Sequence, residues 1–399
     1  MPVERVPDSV YGLFNDSFPP VLDGVTLTVQ NYAGWLAAHG RHVCVITPWH
    51  PFDPKHPDFE MHRYFSLPIY NRRPYRYGYP MVDPFIWRNC RRVPFRIVHA
   101  HCPFSSGRLA AYAARYHDVP LVATLHSKYH TDLKRSLPPF MVEYQMKRIR
   151  RFYNEADAVW IPQARVEETV REYGITAPVT VVENGSDLDA GPGADISAIK
   201  RESRRRLGVS DRRLTLLFVG QHIREKGVMV ILDALTLVSR AGLDFEMHFV
   251  GTGYAAAEMK SRVAAAGLDR QVKFHGVVSS RDELRRLYAA ADLFIFPSMY
   301  DNAPLVVREA AAMATPSLLP AGSTASEVMT DRFNGFIVGA PDARSYADAL
   351  LALDTDREAV VRAGRGARAT LARTWDNVME EVVTRYEDII DRHRHGRKY

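Results

Sequence analysis

Long apolar runs, cysteines and repeats are what this sequence has least of. No stretch approaches the about 20 consecutive apolar residues of a membrane-spanning helix. The opening MPVERVPDSVYG lacks the charged-then-apolar order of a secretory signal, so a cytoplasmic protein is expected. The three cysteines, Cys44, Cys90 and Cys102, form neither a C-x-x-C pair nor an even framework, which argues against a disulfide-stapled scaffold. Cys44 lies within the apolar run His42-Val43-Cys44-Val45-Ile46 and reads as a buried, reduced thiol. No low-complexity tract or internal repeat stands out, and no nucleic-acid motif accompanies the modest net charge of +6.

What is present is an ordinary apolar fraction, 46% of 399 residues. That is enough for two cores, so two domains of roughly 180–200 residues each are expected. The basic residues are unevenly placed. Arg72, Arg73, Arg76, Arg88, Arg91, Arg92 and Arg96 fall among aromatic residues, and Lys147, Arg148, Arg150 and Arg151 follow the run Pro138-Pro139-Phe140-Met141-Val142. Such stretches are either solvated basic faces or surfaces for an anionic membrane or an acidic acceptor.

Taken in order, the chain opens with a strand at 9–14, a polar loop through Asp16 to Gly24, a helix at 25–39 and a strand at 42–46. This βαβ order points to an α/β fold with doubly wound parallel sheets. Gly24 at the loop-to-helix join permits close approach of a ligand to the backbone. A strand at 96–101 ends in His99 and His101, and a strand at 120–125 ends at His126, followed by a polar stretch with Lys128 and Tyr129. His99-x-His101 has no third ligand at metal spacing, so no metal is expected. Strands at 156–162 and 179–183 complete the first domain, 1–189; residues 190–213 read as linker plus a polar helix.

The second domain, 214–374, begins with a strand entering Gly220-Gln221-His222-Ile223-Arg224-Glu225-Lys226-Gly227 and a helix at 228–240. A glycine-flanked basic turn of this kind suits phosphate. A strand at 245–250 runs into Gly251-Thr252-Gly253, with a helix at 255–266. This mimics a dinucleotide fingerprint, but the expected ribose-binding acid is missing. The last segment, 375–399, carries an amphipathic helix.

The stretch 296–313 organises the rest. An apolar strand at 293–296 leads through Pro297 and Ser298 to Asp301 and Asn302, then to an Ala-rich helix starting near Pro304. Asp301 or Asn302 is expected to cap that helix and Pro304 to occupy its first turn, leaving amides, including that of Leu305, for an anion. Glu309 lies along the helix, so two carboxylates flank the proposed phosphate position.

Asp301 and Glu309-Ala310 at a spacing of eight, after a strand ending in Pro-Ser, resemble the signature of retaining glycosyltransferases of family 4. Other stretches resemble the same family in the expected order: Gly24-Val25, His99-x-His101, Thr124-x-His126, Asn184-Gly185-Ser186-Asp187, Lys226-Gly227, Gly251-x-Gly253 and Asn334-Gly335. The resemblance runs from Asn15 to about Tyr386 and implies a GT-B fold. That means two Rossmann-like domains facing a central cleft, with the last helix returning to the first domain.

The resemblance further implies transfer of a sugar from a nucleotide diphosphate sugar, with no cofactor or metal. It assigns Lys226, Arg224, Gln221, Gly24, Gly251, Asn302 and Leu305 to the donor's phosphates and neighbouring atoms, Glu309 to ribose, and Asp301 and His126 to the sugar. Asp16, His101, Lys128 and Tyr129 fall on the acceptor side. A saccharide, a lipid or a small molecule is the implied acceptor class, with peripheral contact to an anionic membrane. Three residues depart from the family pattern: Asp301 replaces Glu, Gln221 replaces Arg, and Pro304 stands where Gly is frequent. Gln221 and Asp301 favour, as an alternative, a non-catalytic sugar-nucleotide-binding or regulatory subunit. A GT-B phosphorylase or epimerase, or more distantly an NAD-dependent enzyme, are the further alternatives.

Overall fold

Apolar strands alternate with helices to build two separate parallel sheets, one in each of two units. The computed structural model describes residues 10–21, 23–52, 58–69, 74–191, 193–210 and 212–396. Arg72 and Arg73, named above, and positions 9 and 22 of the expected first strand and loop lie outside that set. One unit comprises Met1–Asn184 with Trp375–Tyr399 and the other Gly185–Thr374.

In the first unit β1 (Val10–Phe14) is followed by α1 (Gly24–Ala38) and β2 (Val43–Pro48). Next come β3 (Glu60–Tyr64), the hairpin strands β4 (Ser66–Pro68) and β5 (Arg76–Gly78), α2 (Pro84–Arg92) and β6 (Phe95–Ala100). Then follow α3 (Ser105–His117), β7 (Leu121–Thr124), α4 (Tyr129–Lys134), α5 (Pro139–Glu155), β8 (Ala158–Ile161), α6 (Val166–Glu172) and β9 (Val179–Val181). The sheet order is β3-β2-β1-β6-β7-β8-β9. Its pairs are parallel, and strands such as VYGLF and VCVITP are buried throughout, as expected of strands covered by helices on both faces. The basic run beginning at Lys147 lies on α5. Val142, Ile149, Phe152 and Tyr153 are buried there, which leaves the charges on the outer face. Strands β3 to β5 and helices α3 and α5 are not anticipated by the sequence reading, because their apolar residues are interleaved with Arg, His and Tyr.

The second unit runs from α7 (Ile196–Leu207) through β10 (Leu214–Val219), α8 (Val228–Arg240), β11 (Phe245–Val250), α9 (Ala256–Ala265), β12 (Val272–Gly276) and α10 (Arg281–Ala290). It continues with β13 (Leu293–Ile295), α11 (Leu305–Ala312), β14 (Ser317–Pro320), β15 (Phe336–Val338), α12 (Ala343–Thr355) and α13 (Arg357–Leu371). Its sheet is ordered β12-β11-β10-β13-β14-β15. The unit begins five residues before the expected boundary at 189/190. The expected linker supplies α7, which is packed into it: buried Arg204 donates to Ala290 O at 2.9 Å, and Lys200 pairs with Asp292 at 2.8 Å.

Helix α14 (Trp375–Arg394) belongs to the first unit. Tyr386 is fully buried and stacks on Trp160 with centroids 5.3 Å apart. Its hydroxyl lies 2.6 Å from His99 Nδ1. Trp375 packs edge-on against Tyr32, and Tyr11 donates to Glu387 at 2.8 Å. The family-implied return of the last helix is therefore a buried, hydrogen-bonded contact. Tyr386→Ala should remove about 3–5 kcal/mol of stability, and Tyr386→Phe, which orphans His99 Nδ1, about 1–3 kcal/mol. Denaturant midpoints of the two variants against the parent check both values.

Candidate functional site

In the second unit the candidate residues hang from the carboxyl ends of β10, β11 and β13. The turn after β10 approaches the turn after β11 so closely that a Cβ on Gly251 would lie 2.0 Å from Gly220 O, and one on Gly253 would lie 2.4 Å from His222 O. His222 N donates to Thr252 O at 2.9 Å and Ala255 N to His222 O at 3.0 Å. The Gly-x-Gly pair is thus required by backbone packing. Gly227, at φ +73°, repeats the device, since its Cβ would meet Pro297 Cβ at 2.7 Å. That approach brings the turn before α8 against the segment after β13.

Its consequence is a contact across 75 positions: Lys226 Nζ meets Asp301 Oδ1 directly. Both side chains are largely buried. Ser298 Oγ donates to Asp301 Oδ2 at 2.5 Å, and Lys226 Nζ lies 5.3 Å from the Phe296 ring centroid. Because Asp301 is engaged in this way, it does not cap α11. The cap residue is Pro304, with no side-chain cap bond, so the expectation of Pro304 in the first turn is also corrected. The first amides of α11, at Leu305 and Val306, have no acceptor within the helix. Asn302 is buried beside them in sequence.

Glu309 sits one turn beyond Leu305, 4% exposed. Tyr288 Oη donates to its Oε2 at 2.8 Å and Arg281 Nη2 to its Oε1 at 2.9 Å; Arg281 also contacts Asp187. Burial, followed by the Glu309 charge, holds the Tyr288 phenol well above its ordinary range, so it remains a donor. Tyr288 and Arg281 are absent from the sequence-based site. Tyr288 sits among apolar residues in α10 and Arg281 at its start, and no local pattern marks either as a carboxylate partner. Gln221 is exposed. Arg224, expected at the phosphates, is turned onto α9 in this structure, with Nη2 at 2.7 and 2.6 Å from the Glu258 oxygens.

In the first unit, three histidines form a buried row. His99 Nε2 lies 2.7 Å from Thr124 Oγ1, and His101 Nδ1 lies 3.1 Å from His126 Nε2. Burial holds the His126 imidazole down at about 4, and both burial and the neighbouring rings hold His99 and His101 well below 6.5. All three are therefore neutral, and one ring must donate in the His101–His126 bond. His101 Nε2 is buried with no partner. A bare acceptor is less costly there than an orphaned N–H, so the donated proton belongs to His101 Nδ1, which leaves the His126 proton on Nδ1. Fully buried His101 serves His126 and not an acceptor.

Tyr129 is likewise corrected. It is 3% exposed, packs edge-on with Phe104, and its hydroxyl lies 3.2 Å from that of Tyr153. Asp16 Oδ1 accepts from Ser105 Oγ, from Ser106 N at 2.9 Å and from Tyr64 Oη at 3.3 Å, while its Oδ2 is buried without a partner. It ties the loop after β1 to the start of α3. Lys128 is half-buried just before α4, and Gly24 is exposed at the start of α1.

Comparison with known proteins bears on both units. The family described as Glycosyltransferase Family 4 matches residues 22–190, and that described as Glycosyl transferases group 1 matches residues 199–370. The chain is 25% identical over 349 residues to an alpha-monoglucosyldiacylglycerol synthase of Streptococcus pneumoniae, covering 86% of this chain and 78% of the relative. It is 28% identical over 376 residues to a phosphatidyl-myo-inositol mannosyltransferase of Mycobacterium leprae, covering 92% and 93%. Among solved structures, HepE of Anabaena in complex with UDP and glucose aligns with a TM-score of 0.74 at 17% identity, over 95% of this chain and 99% of that one. Sucrose-phosphate synthase of Thermosynechococcus elongatus aligns at 0.76 and 18% identity, over 96% and 99%; these two show the fold. With two parallel Rossmann-like sheets, the returning α14 and family matches over both halves, the chain belongs to the family 4 glycosyltransferases of GT-B fold.

Proposed function

We propose that the chain is a retaining, metal-independent glycosyltransferase that moves a sugar from a UDP- or GDP-sugar to a hydroxyl of a lipid or membrane-borne glycan. The observation that carries this reading is the Lys226–Asp301 contact beside the uncapped α11, with Glu309 held one turn further on by Tyr288 and Arg281. A diphosphate entering there exchanges one anionic partner of Lys226 for another and takes up the amides of Leu305 and Val306. Asp301, released from Lys226 but still bonded to Ser298, accepts sugar hydroxyls. Glu309 keeps lone pairs for ribose hydroxyls. The leaving phosphate takes the acceptor's proton, so no enzyme base is assigned. Two relatives, an alpha-monoglucosyldiacylglycerol synthase and a phosphatidyl-myo-inositol mannosyltransferase, are named for lipids, which supports a lipid acceptor.

A membrane-facing surface fits that acceptor. Met81, Val82, Phe85, Phe140 and Tyr144 are exposed at 70%, 66%, 71%, 74% and 59%. Arginines lie among them: Arg108 reaches Met81 Sδ at 3.2 Å, and Arg148 lies over the Tyr144 ring at 5.7 Å. No helix among the described residues is long and apolar enough to cross a membrane, so the contact proposed is peripheral, at a cytoplasmic surface. The exposed Gln221 and the diversion of Arg224 to Glu258 leave one cation at the phosphates, which favours the non-catalytic subunit as the second reading.

Four measurements test these statements. A mass-spectrometric screen with UDP-, GDP- and ADP-sugars should show nucleotide release. Lys226→Ala and Glu309→Ala should each lower kcat by about 10²–10³-fold, whereas Arg224→Ala, which removes an exposed side chain bonded to Glu258, should leave kcat close to the parent value. Stoichiometric donor binding without release supports the non-catalytic reading instead. For the histidines, an unfolded ring takes up a proton near 6.5 while folded His126 resists until about 4. The unfolded chain therefore binds more protons in that window, and stability falls as pH drops through it. Urea midpoints should decrease between about pH 7 and about pH 5, and His126→Asn should reduce the decrease. Sedimentation with phosphatidylglycerol vesicles should be strong at low salt and lost at high salt, and Phe85→Ser with Phe140→Ser should weaken it.

A further inference from the structure

Cys44, read from the sequence as an inert buried thiol, has company that the sequence does not reveal. Among the described residues, one set of three potential metal ligands has its donor atoms all within 4.8 Å of one another: Cys44, Glu60 and His62. The parallel pairing of β2 with β3 makes the set. Cys44 stands opposite Glu60 and Ile46 opposite His62, and the two-residue period of a strand puts Glu60 and His62 on one face. Cys44 is fully buried, the His62 side chain is 21% exposed and that of Glu60 is 52% exposed, so the group opens to solvent on the Glu60 side. We propose that these three residues form a binding site for a thiophilic divalent cation of the zinc type, with water in the fourth position.

The chemistry selects that class. A thiolate, an imidazole and a carboxylate form a mixed donor set suited to zinc and poor for magnesium or calcium, which prefer oxygen alone. Bonds of about 2.0–2.3 Å at tetrahedral angles set donors about 3–4 Å apart. His62 Nε2 and Glu60 Oε1 already stand 2.8 Å apart, so modest side-chain rotation admits an ion. An outer partner is in place as well: the Asn89 amide on α2 lies 3.2 Å from His62 Nδ1. Asn89 Nδ2 is the atom facing Nδ1; a half-turn of the amide presents its oxygen instead, so that Nδ1 carries the proton and Nε2 keeps its lone pair for the metal. A bound ion would join β3, an edge strand, to β2 and, through Asn89, to α2. Another histidine–carboxylate group, Glu246 with His248 and His275, is different because Lys273 already contacts Glu246 Oε1 and supplies the positive charge. The Cys44 site lies wholly in the first unit and is independent of the sugar-transfer reading.

Titration of the full-length protein with cobalt(II) under reducing conditions tests the site, because cobalt bound to a thiolate gives a near-ultraviolet charge-transfer band that carboxylates and imidazoles do not. The band should appear in the parent and in Cys102→Ser and vanish in Cys44→Ser, and zinc should displace it. Since Cys44→Ser changes a buried position, His62→Gln is the companion variant; it should bind cobalt at least about tenfold more weakly, and Asn89→Ala about 10–100-fold more weakly. No thiolate band in the parent overturns the proposal. So does a band that survives in Cys44→Ser, or affinity unchanged in His62→Gln.

Discussion

The close approach of backbone at the carboxyl ends of β10, β11 and β13 is the constraint on which the candidate donor site depends. Gly251 and Gly253 let the turn after β11 seat against Gly220 and His222, and Gly227 lets the start of α8 seat against Pro297. A side chain at any of the three would force these segments apart, because the opposing atoms are backbone or a rigid ring. With the turns seated, Lys226 arrives at Asp301 and the Phe296 ring lies beneath its ammonium. The glycines thus act at a distance from the chemistry by setting where one charged group lies.

Charge in this unit is paired before any ligand arrives. Lys226 is matched by Asp301, Glu309 by Arg281 and Tyr288, Arg224 by Glu258, and Asp292 by Lys200 and Arg204. Partly buried charges require such partners, and the kinds of partner divide the pairs by role. Asp292 is surrounded by three cations and the Thr215 amide, a structural joint between α7, α10 and α13. Lys226 has a single carboxylate, itself shared with Ser298, so an anion with more oxygens competes effectively for it. In the first unit the same rule operates with neutral groups. His99 bonds Thr124 and Tyr386, His101 bonds His126, and burial keeps all three rings neutral.

Much of the fold was legible because uninterrupted apolar runs and glycine punctuation are local signals. Leu214–Val219, Val228–Arg240 and Phe245–Val250 have the bounds read from the sequence. Where the observed partners differ from the expected ones, the cause is shared. Asp301 was expected to cap α11, Arg224 to reach the phosphates, and His101 and Tyr129 to meet an acceptor, each on its local surroundings. In the fold each is claimed by a residue 24 to 75 positions away: Lys226, Glu258, His126 and Tyr153. The polar helix α7 was placed in a linker for the same reason, since the groups that bind Arg204 and Lys200 lie near position 290.

The sequence by itself determined the two parallel sheets, the returning last helix, the family and the Lys226, Asp301, Glu309 and His126 candidates, because strand-turn-helix punctuation and ordered motifs are written in neighbouring residues. Tertiary structure decided which of those groups meet and which are already engaged. Lys226 meets Asp301, Tyr288 and Arg281 hold Glu309, Arg224 turns away, and Cys44 finds Glu60 and His62 across a strand pair. Side-chain partnership is a matter of a few ångströms between residues far apart in the chain, and only the packed backbone sets those distances.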